Sequence, residues 1–163
     1  SMLVEVHSKN NFHAIILGSD QGRNVYSKKL LLLVERYRLA KKITFIENCK
    51  EMPIAYKLSD IVVSSSIEPE AFGRVAVEAQ AMEKVIIASN IGGSKETVLN
   101  GKSGLLYNFN DSKDLAKAIN KAMEMSKNTL DLMGAEGRKN VEKKFNVDQM
   151  CQTTFTEYMK LLK

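Results

Sequence analysis

Apolar residues recur along this chain in two rhythms, and their alternation sets the expected fold. Short, mostly apolar runs at 12–17 (FHAIIL), 43–46 (ITFI), 61–63 (IVV), 85–88 (VIIA) and 104–107 (GLLY) read as strands, those at 61–63 and 85–88 as interior ones. A strand buried on both faces has no polar side to alternate with, so a continuous run is its signature. Between the runs, apolar positions fall three and four apart, which gathers them on one face of a helix. Leu30, Leu33, Val34 and Tyr37 mark a helix over 25–39, and Leu115, Ala118, Ile119 and Ala122 mark one over 111–125. A brief helix over 52–58 has Pro53 in its first turn, where proline is tolerated. Gly73 opens another, with Val75, Ala76, Ala79 and Met82 along its apolar stripe. Ser94 is placed to cap a short helix over 94–99, and helices over 129–144 and 147–162 close the chain. Residues 2–9 read as the tail of a helix.

Strands that alternate with helices build right-handed βαβ units. The expected architecture is therefore α/β: a Rossmann-like parallel sheet with helices on both faces, in a single domain over 1–163. Ligands of such sheets bind beyond the carboxyl ends of the strands. The polar turns at 18–22, 47–48, 65–70 and 89–93 each follow a strand, so they collect on one edge and point to a ligand site there. The first of them, GSDQG, lacks the third glycine of a G-x-G-x-x-G loop, which speaks against a dinucleotide site. His13 reads as packed along its strand rather than as a catalyst.

The densest signal lies in 61–83, IVVSSSIEPEAFGRVAVEAQAME. Pro69 stops any continuation of the strand and keeps Glu68 extended. Helical side chains lean toward their own N-terminus, so Glu78 reaches back over the turn that starts at Arg74. The axial step between the two is only about 6 Å. Glu70 stands just before the helix, and the two carboxylates can converge at its mouth. The free N–H groups of Phe72, Gly73 and Arg74 point into the same space, where the positive helix end favours an anion. Amides that seek phosphate beside carboxylates that seek hydroxyls suit a sugar phosphate. Taken alone, the stretch also fits an ordinary amphipathic helix with solvated acids.

Glu70 and Glu78, with seven residues between them in EPEAFGRVAVEAQA, resemble the E-x7-E motif of retaining, nucleotide-sugar-dependent glycosyltransferases of the GT-B fold. That group 1 family includes lipopolysaccharide-core and mannosyl transferases. The segment SNIGGSKETVLNGKSGLLY resembles the family's next block, a Gly-Gly loop, a glutamate and a G-x-x-G-x-L turn. The likeness runs from about Phe12 to the end and implies the C-terminal, donor-binding half of such an enzyme. By this resemblance Glu78 bonds the ribose hydroxyls of a UDP- or GDP-type donor. Glu70, the catalytic residue, bonds hydroxyls of the transferred sugar and stabilises the transition state. Ionised carboxylates suit both roles, because they accept from hydroxyl groups. Phe72, Gly73 and Arg74 offer N–H groups to the sugar and diphosphate, Gly18, Gly92 and Gly93 let the backbone approach the ligand, and Ile46 flanks the base. Glu96 matches a glutamate of mainly structural role. The substrate is a nucleotide sugar; no further cofactor and no metal are expected, and the acceptor is a cell-envelope glycan or glycolipid.

Some features depart from the family. Relatives open this domain with a strand and a Gly-Arg…Lys-Gly segment whose cations bind the diphosphate, and nothing before Phe12 matches it. The resemblance thus implies a truncated half-enzyme whose natural partner, the N-terminal acceptor domain, is missing, with weak donor binding and no transfer by these residues alone. A nucleotide-binding module without catalysis is the alternative from another class; a GT-B epimerase does not usually carry the E-x7-E block. Arg74 stands where relatives often have an apolar residue, and pairs either with Glu78 at i, i+4 or with phosphate, the surface pair being the preferred reading.

Composition narrows the picture only modestly. With 163 residues, 44% apolar and 26% charged, the chain can bury a core as an ordinary globular domain. Its longest apolar run, 30–34, is too short to span a bilayer, and no signal-peptide pattern opens it, so a cytoplasmic setting is expected. The net charge of +5 is spread over Lys-Lys pairs at 28–29, 41–42 and 143–144. A solvated surface accounts for it, with peripheral attraction to anionic membrane as the second reading. Aromatics do not interleave with the basic residues, which excludes nucleic acid as the expected partner. Cys49 and Cys151 stand far apart, with no paired spacing for zinc, and read as thiols of a reducing compartment.

Overall fold

The structure, a computed structural model, describes residues 12–18, 22, 24–47 and 49–162. The expected helix tail at 2–9, the turn residues 19–21 and Asn48 of the second polar turn lie outside them. The chain gathers into two compact units, Ser1–Ala55 and Tyr56–Lys163.

In the first unit, β1 (Ala14–Leu17) and β2 (Ile43–Ile46) pair in parallel, from Ala14 opposite Ile43 to Leu17 opposite Ile46. Phe12 and His13 precede the ladder; His13 is exposed rather than packed, and its Nε2 lies 2.9 Å from Thr44 Oγ1 of the neighbouring strand. Between the strands runs α1 (Asn24–Arg36), which stops short of the expected Leu39. Arg38 is held at φ 54°, and Arg38 N–H and Leu39 N–H fold back onto Glu35 O and Val34 O, which closes the helix. The short helix α2 (Met52–Leu58) has the expected bounds and contains the boundary between the units.

The second unit holds a parallel three-stranded sheet in the order β3 (Ile61–Ser64), β4 (Val85–Ser89), β5 (Gly104–Tyr107). Ile61 stands opposite Val85, and Ile86 opposite Gly104. All five residues of the central strand β4 are buried, as an unbroken VIIAS run requires. Gly104 is there because a Cβ would meet Ile86 O at 2.5 Å. Helix α5 (Ser112–Glu124) lays Leu115, Ala118, Ile119 and Ala122 over Ile87, Leu105 and Tyr107. Helices α3 (Arg74–Ala81) and α6 (Lys127–Lys144) pack on β4, so helices cover both faces.

Caps explain where the remaining boundaries fall. Asp111 accepts from Lys113 N and Asp114 N and starts α5, while Ser126 accepts from Thr129 N and starts α6 two residues before the expected position. The short α4 is only Ser94–Thr97; its N-cap is Gly93 with no side-chain bond, not Ser94, and Val98 turns extended instead of continuing to 99. The last helix, α7 (Val147–Leu161), is capped by Asn146 and buries none of its residues.

The periodic reading put Val75 and Met82 on the inner stripe of α3. The buried residues are Ala76, Val77, Ala79 and Gln80. Gln80 is fully buried because it is fully engaged: its Nε2 donates to Ala76 O (3.0 Å) and Thr97 O (2.9 Å). Asn140 of α6 donates to the same Thr97 O at 3.0 Å, and Thr97 Oγ1 donates to Gly93 O at 3.0 Å. This polar seam ties α3, α4 and α6 together where apolar contacts alone would leave the register loose.

Candidate functional site

The site is built on the mouth of α3. After β3 ends at Ser64, residues 65–73 turn the chain into the helix, and Gly73 makes the N-cap at φ 77°, ψ 56°. Only glycine takes that left-handed geometry without cost. Its carbonyl accepts from Ala76 N (3.0 Å) and Val77 N (3.3 Å), and the cap makes no side-chain hydrogen bond. The N–H groups of Phe72, Gly73 and Arg74 find no acceptor among the described residues. Three such groups at a helix N-terminus form a ready anion cradle.

Glu78, one turn inside the helix, leans back over this mouth. Its Oε1 accepts from Arg74 Nη2 (2.9 Å) and Nε (3.2 Å), so the expected i, i+4 pair is present. Its Oε2 accepts from Tyr56 O–H at 2.9 Å. Glu70 lies exposed in the loop before the helix and accepts from Ser66 Oγ. Its backbone is pinned as well, since Gly93 N–H donates to Glu70 O at 2.8 Å.

Gly92 and Gly93 have a reason within the chain for being glycine. A Cβ on Gly92 would sit 2.5 Å from Glu70 O, and one on Gly93 would sit 2.5 Å from the Phe72 carbonyl. The 89–93 turn therefore presses backbone to backbone on the Glu70–Phe72 loop. The close approach that glycine permits here is to the loop that shapes the mouth. Phe72 also touches Phe145 edge-on, with ring centroids 5.8 Å apart.

Two of the residues singled out from the sequence, Gly18 and Ile46, lie in the first unit. They meet at the carboxyl ends of β1 and β2, where Gly18 N–H donates to Ile46 O at 2.9 Å. Gly18 has φ 141° and open space where a Cβ would stand, so its backbone angle is what calls for glycine. Glu96 is exposed in the first turn of α4.

Tyr56 was missed by the sequence reading, and no local signal marks it, because its contact with Glu78 spans 22 positions. It is 5% exposed and the sole buried residue of α2. Burial, then the hydrogen bond to Glu78 and that carboxylate's charge, push its phenol well above the ordinary tyrosine value. Tyr56 thus keeps its proton and is the donor of the pair.

A depression of about 220 Å³ opens beside β5 and α5, lined among others by Asn100, Tyr107, Asp114, Lys117 and Lys121, and none of the mouth residues lines it. It lacks a carboxylate pair or free amides, so the chemistry favours the α3 mouth. Among the described residues no three His, Cys, Asp or Glu side chains group to hold a metal, and no helix is long and apolar enough to cross a membrane.

Comparison with known proteins gives the family and the fold. Over its full length the chain is 27% identical to the capsular polysaccharide biosynthesis glycosyltransferase CapM of Staphylococcus aureus, and it spans 42% of that protein. A glycosyltransferase structure from Rickettsia africae superimposes with a TM-score of 0.90 and 29% identity, over 99% of this chain and 43% of that one. Anabaena HepE, solved with UDP and glucose, superimposes with a TM-score of 0.83 and 28% identity, over 91% of this chain and 40% of that one. These structural neighbours are GT-B glycosyltransferases, and the chain is about half their length. Residues 2–140 match the model for Glycosyl transferases group 1, and the chain belongs to that family.

Proposed function

We propose that this chain binds the nucleotide-sugar donor of a retaining glycosyltransferase that builds a cell-envelope glycan or glycolipid. One observation carries the reading: Glu78, fixed by two donors, leans over a helix mouth whose amides have no acceptor among the described residues. In this reading Glu78 accepts from the ribose hydroxyls. The N–H groups of Phe72, Gly73 and Arg74 neutralise the diphosphate, with the helix dipole behind them. Glu70 accepts from a hydroxyl of the transferred sugar and offsets the positive charge that develops as the donor bond breaks.

UDP is favoured over GDP, with support from HepE, a neighbour captured with UDP and with UDP-glucose. The cell-envelope acceptor is supported by the capsular role in CapM's name. Retention rests on the likeness of the Glu70–Glu78 spacing to the E-x7-E motif. The relatives are longer than this chain, and acceptor binding is assigned to their remaining length.

Calorimetry of the 163-residue chain with UDP, GDP and ADP tests the donor reading. UDP is expected to bind most tightly, and Glu78→Gln to weaken it by about tenfold or more, the worth of hydrogen bonds to a charged acceptor. Equal binding of all three nucleotides, or no effect of Glu78→Gln, contradicts it.

A further inference from the structure

We propose that Tyr56 is a positioning residue of the donor site, and that its buried hydroxyl fixes the edge of the Glu78 carboxylate that meets the ribose. The inference rests on the donor reading above and adds a residue outside the motif. Two donors hold Glu78, and they differ in kind. Arg74 is 83% exposed on its side chain, so its pair with Oε1 is screened by solvent. Tyr56 is buried, its ring is fixed by packing, and its O–H lies 2.9 Å from Oε2. Of the two, only Tyr56 has a place it must occupy.

A carboxylate oxygen accepts about two hydrogen bonds. Tyr56 takes one position on Oε2 and leaves the other on the same oxygen, while the Arg74 fork occupies Oε1. The terminal torsion of a glutamate is broad, so without Tyr56 the carboxylate is free to rotate toward Arg74. Tyr56 belongs to α2 and Glu78 to α3, so the bond also sets where the carboxylate stands relative to the short helix before β3. Burial holds the proton on the phenol to higher pH than in a free tyrosine, so the donor is present throughout the physiological range.

The test compares UDP with 2′-deoxy-UDP on the 163-residue chain by calorimetry, beside a melting curve. Wild type is expected to prefer UDP. Tyr56→Phe keeps the ring and should reduce that preference by about three- to tenfold, the worth of one lost hydrogen bond, with little change in affinity for the deoxy form. Incorporation of 4-aminophenylalanine at position 56, which restores a donor, should recover the preference. Should the phenylalanine variant melt early, 4-fluorophenylalanine refills the hydroxyl's space without a donor and repeats the comparison. Equal weakening of both ligands, or an unchanged preference, overturns the inference. Glu78→Gln separates the two levels. If it abolishes the preference and Tyr56→Phe does not, only the role of Tyr56 fails; if Glu78→Gln leaves the preference intact, the donor reading fails.

Discussion

At the scale of single residues, the mouth of α3 is held by backbone geometry and by hydroxyl donors more than by charge. Gly73 supplies the turn, Gly92 and Gly93 let the next turn rest on it, and Ser66 and Tyr56 each donate to one of the motif's carboxylates. The motif glutamates and their spacing were legible in the sequence, because a helix brings residue 78 back over residue 74 whatever surrounds it. Tyr56 was not, since only the folded arrangement brings it beside Glu78, 22 positions away. A pH dependence follows from it. An unfolded tyrosine loses its proton near pH 10, whereas buried Tyr56 holds it to higher pH. The unfolded state then binds fewer protons, so the contribution of Tyr56 is fully present below about pH 10 and is lost as pH rises further. Urea midpoints measured between pH 8 and 11 should fall more steeply for wild type than for Tyr56→Phe. Parallel curves would contradict the burial argument.

Among the elements, the seam between α3 and α6 matters most, because it supports the site from behind. Gly134 of α6 lies so close to the Glu83 carbonyl that a Cβ there would overlap it, and a Cβ on Gly137 would sit 3.0 Å from Gln80 Cγ. Glycine in a helix interior costs about 1 kcal/mol relative to alanine, so propensity alone favours Gly134→Ala. The overlap opposes it with about 1–3 kcal/mol of overpacking, and the balance is expected to be destabilising. A chemical denaturation curve shifted to lower urea checks this; a gain of stability would mean that α6 stands off from α3. The strand runs at 85–88 and 104–107 were legible because buried parallel strands have few polar positions; 43–46 also falls at the expected bounds, although three of its four residues are exposed. The buried face of α3 was misread because its central residue, Gln80, is polar and is satisfied by partners 17 and 60 positions away. Helix ends moved wherever a cap or a left-handed residue decided the stop, as at Arg38, Gly93 and Ser126.

For the molecule as a whole, membership of the group 1 glycosyltransferase family and the α3 amides without an acceptor among the described residues support one donor-binding account. The α/β alternation announced the fold class, while the grouping of the chain into two compact units depends on long-range contacts that no local pattern encodes. The central claim is that the nucleotide seats at the α3 mouth, and amide NMR of the 163-residue chain titrated with UDP tests it most directly. The account predicts that the largest shifts fall on the N–H groups of Phe72, Gly73 and Arg74, with Glu78 close behind. Shifts centred on Lys117 and Lys121 beside β5, or none at millimolar UDP, would contradict it.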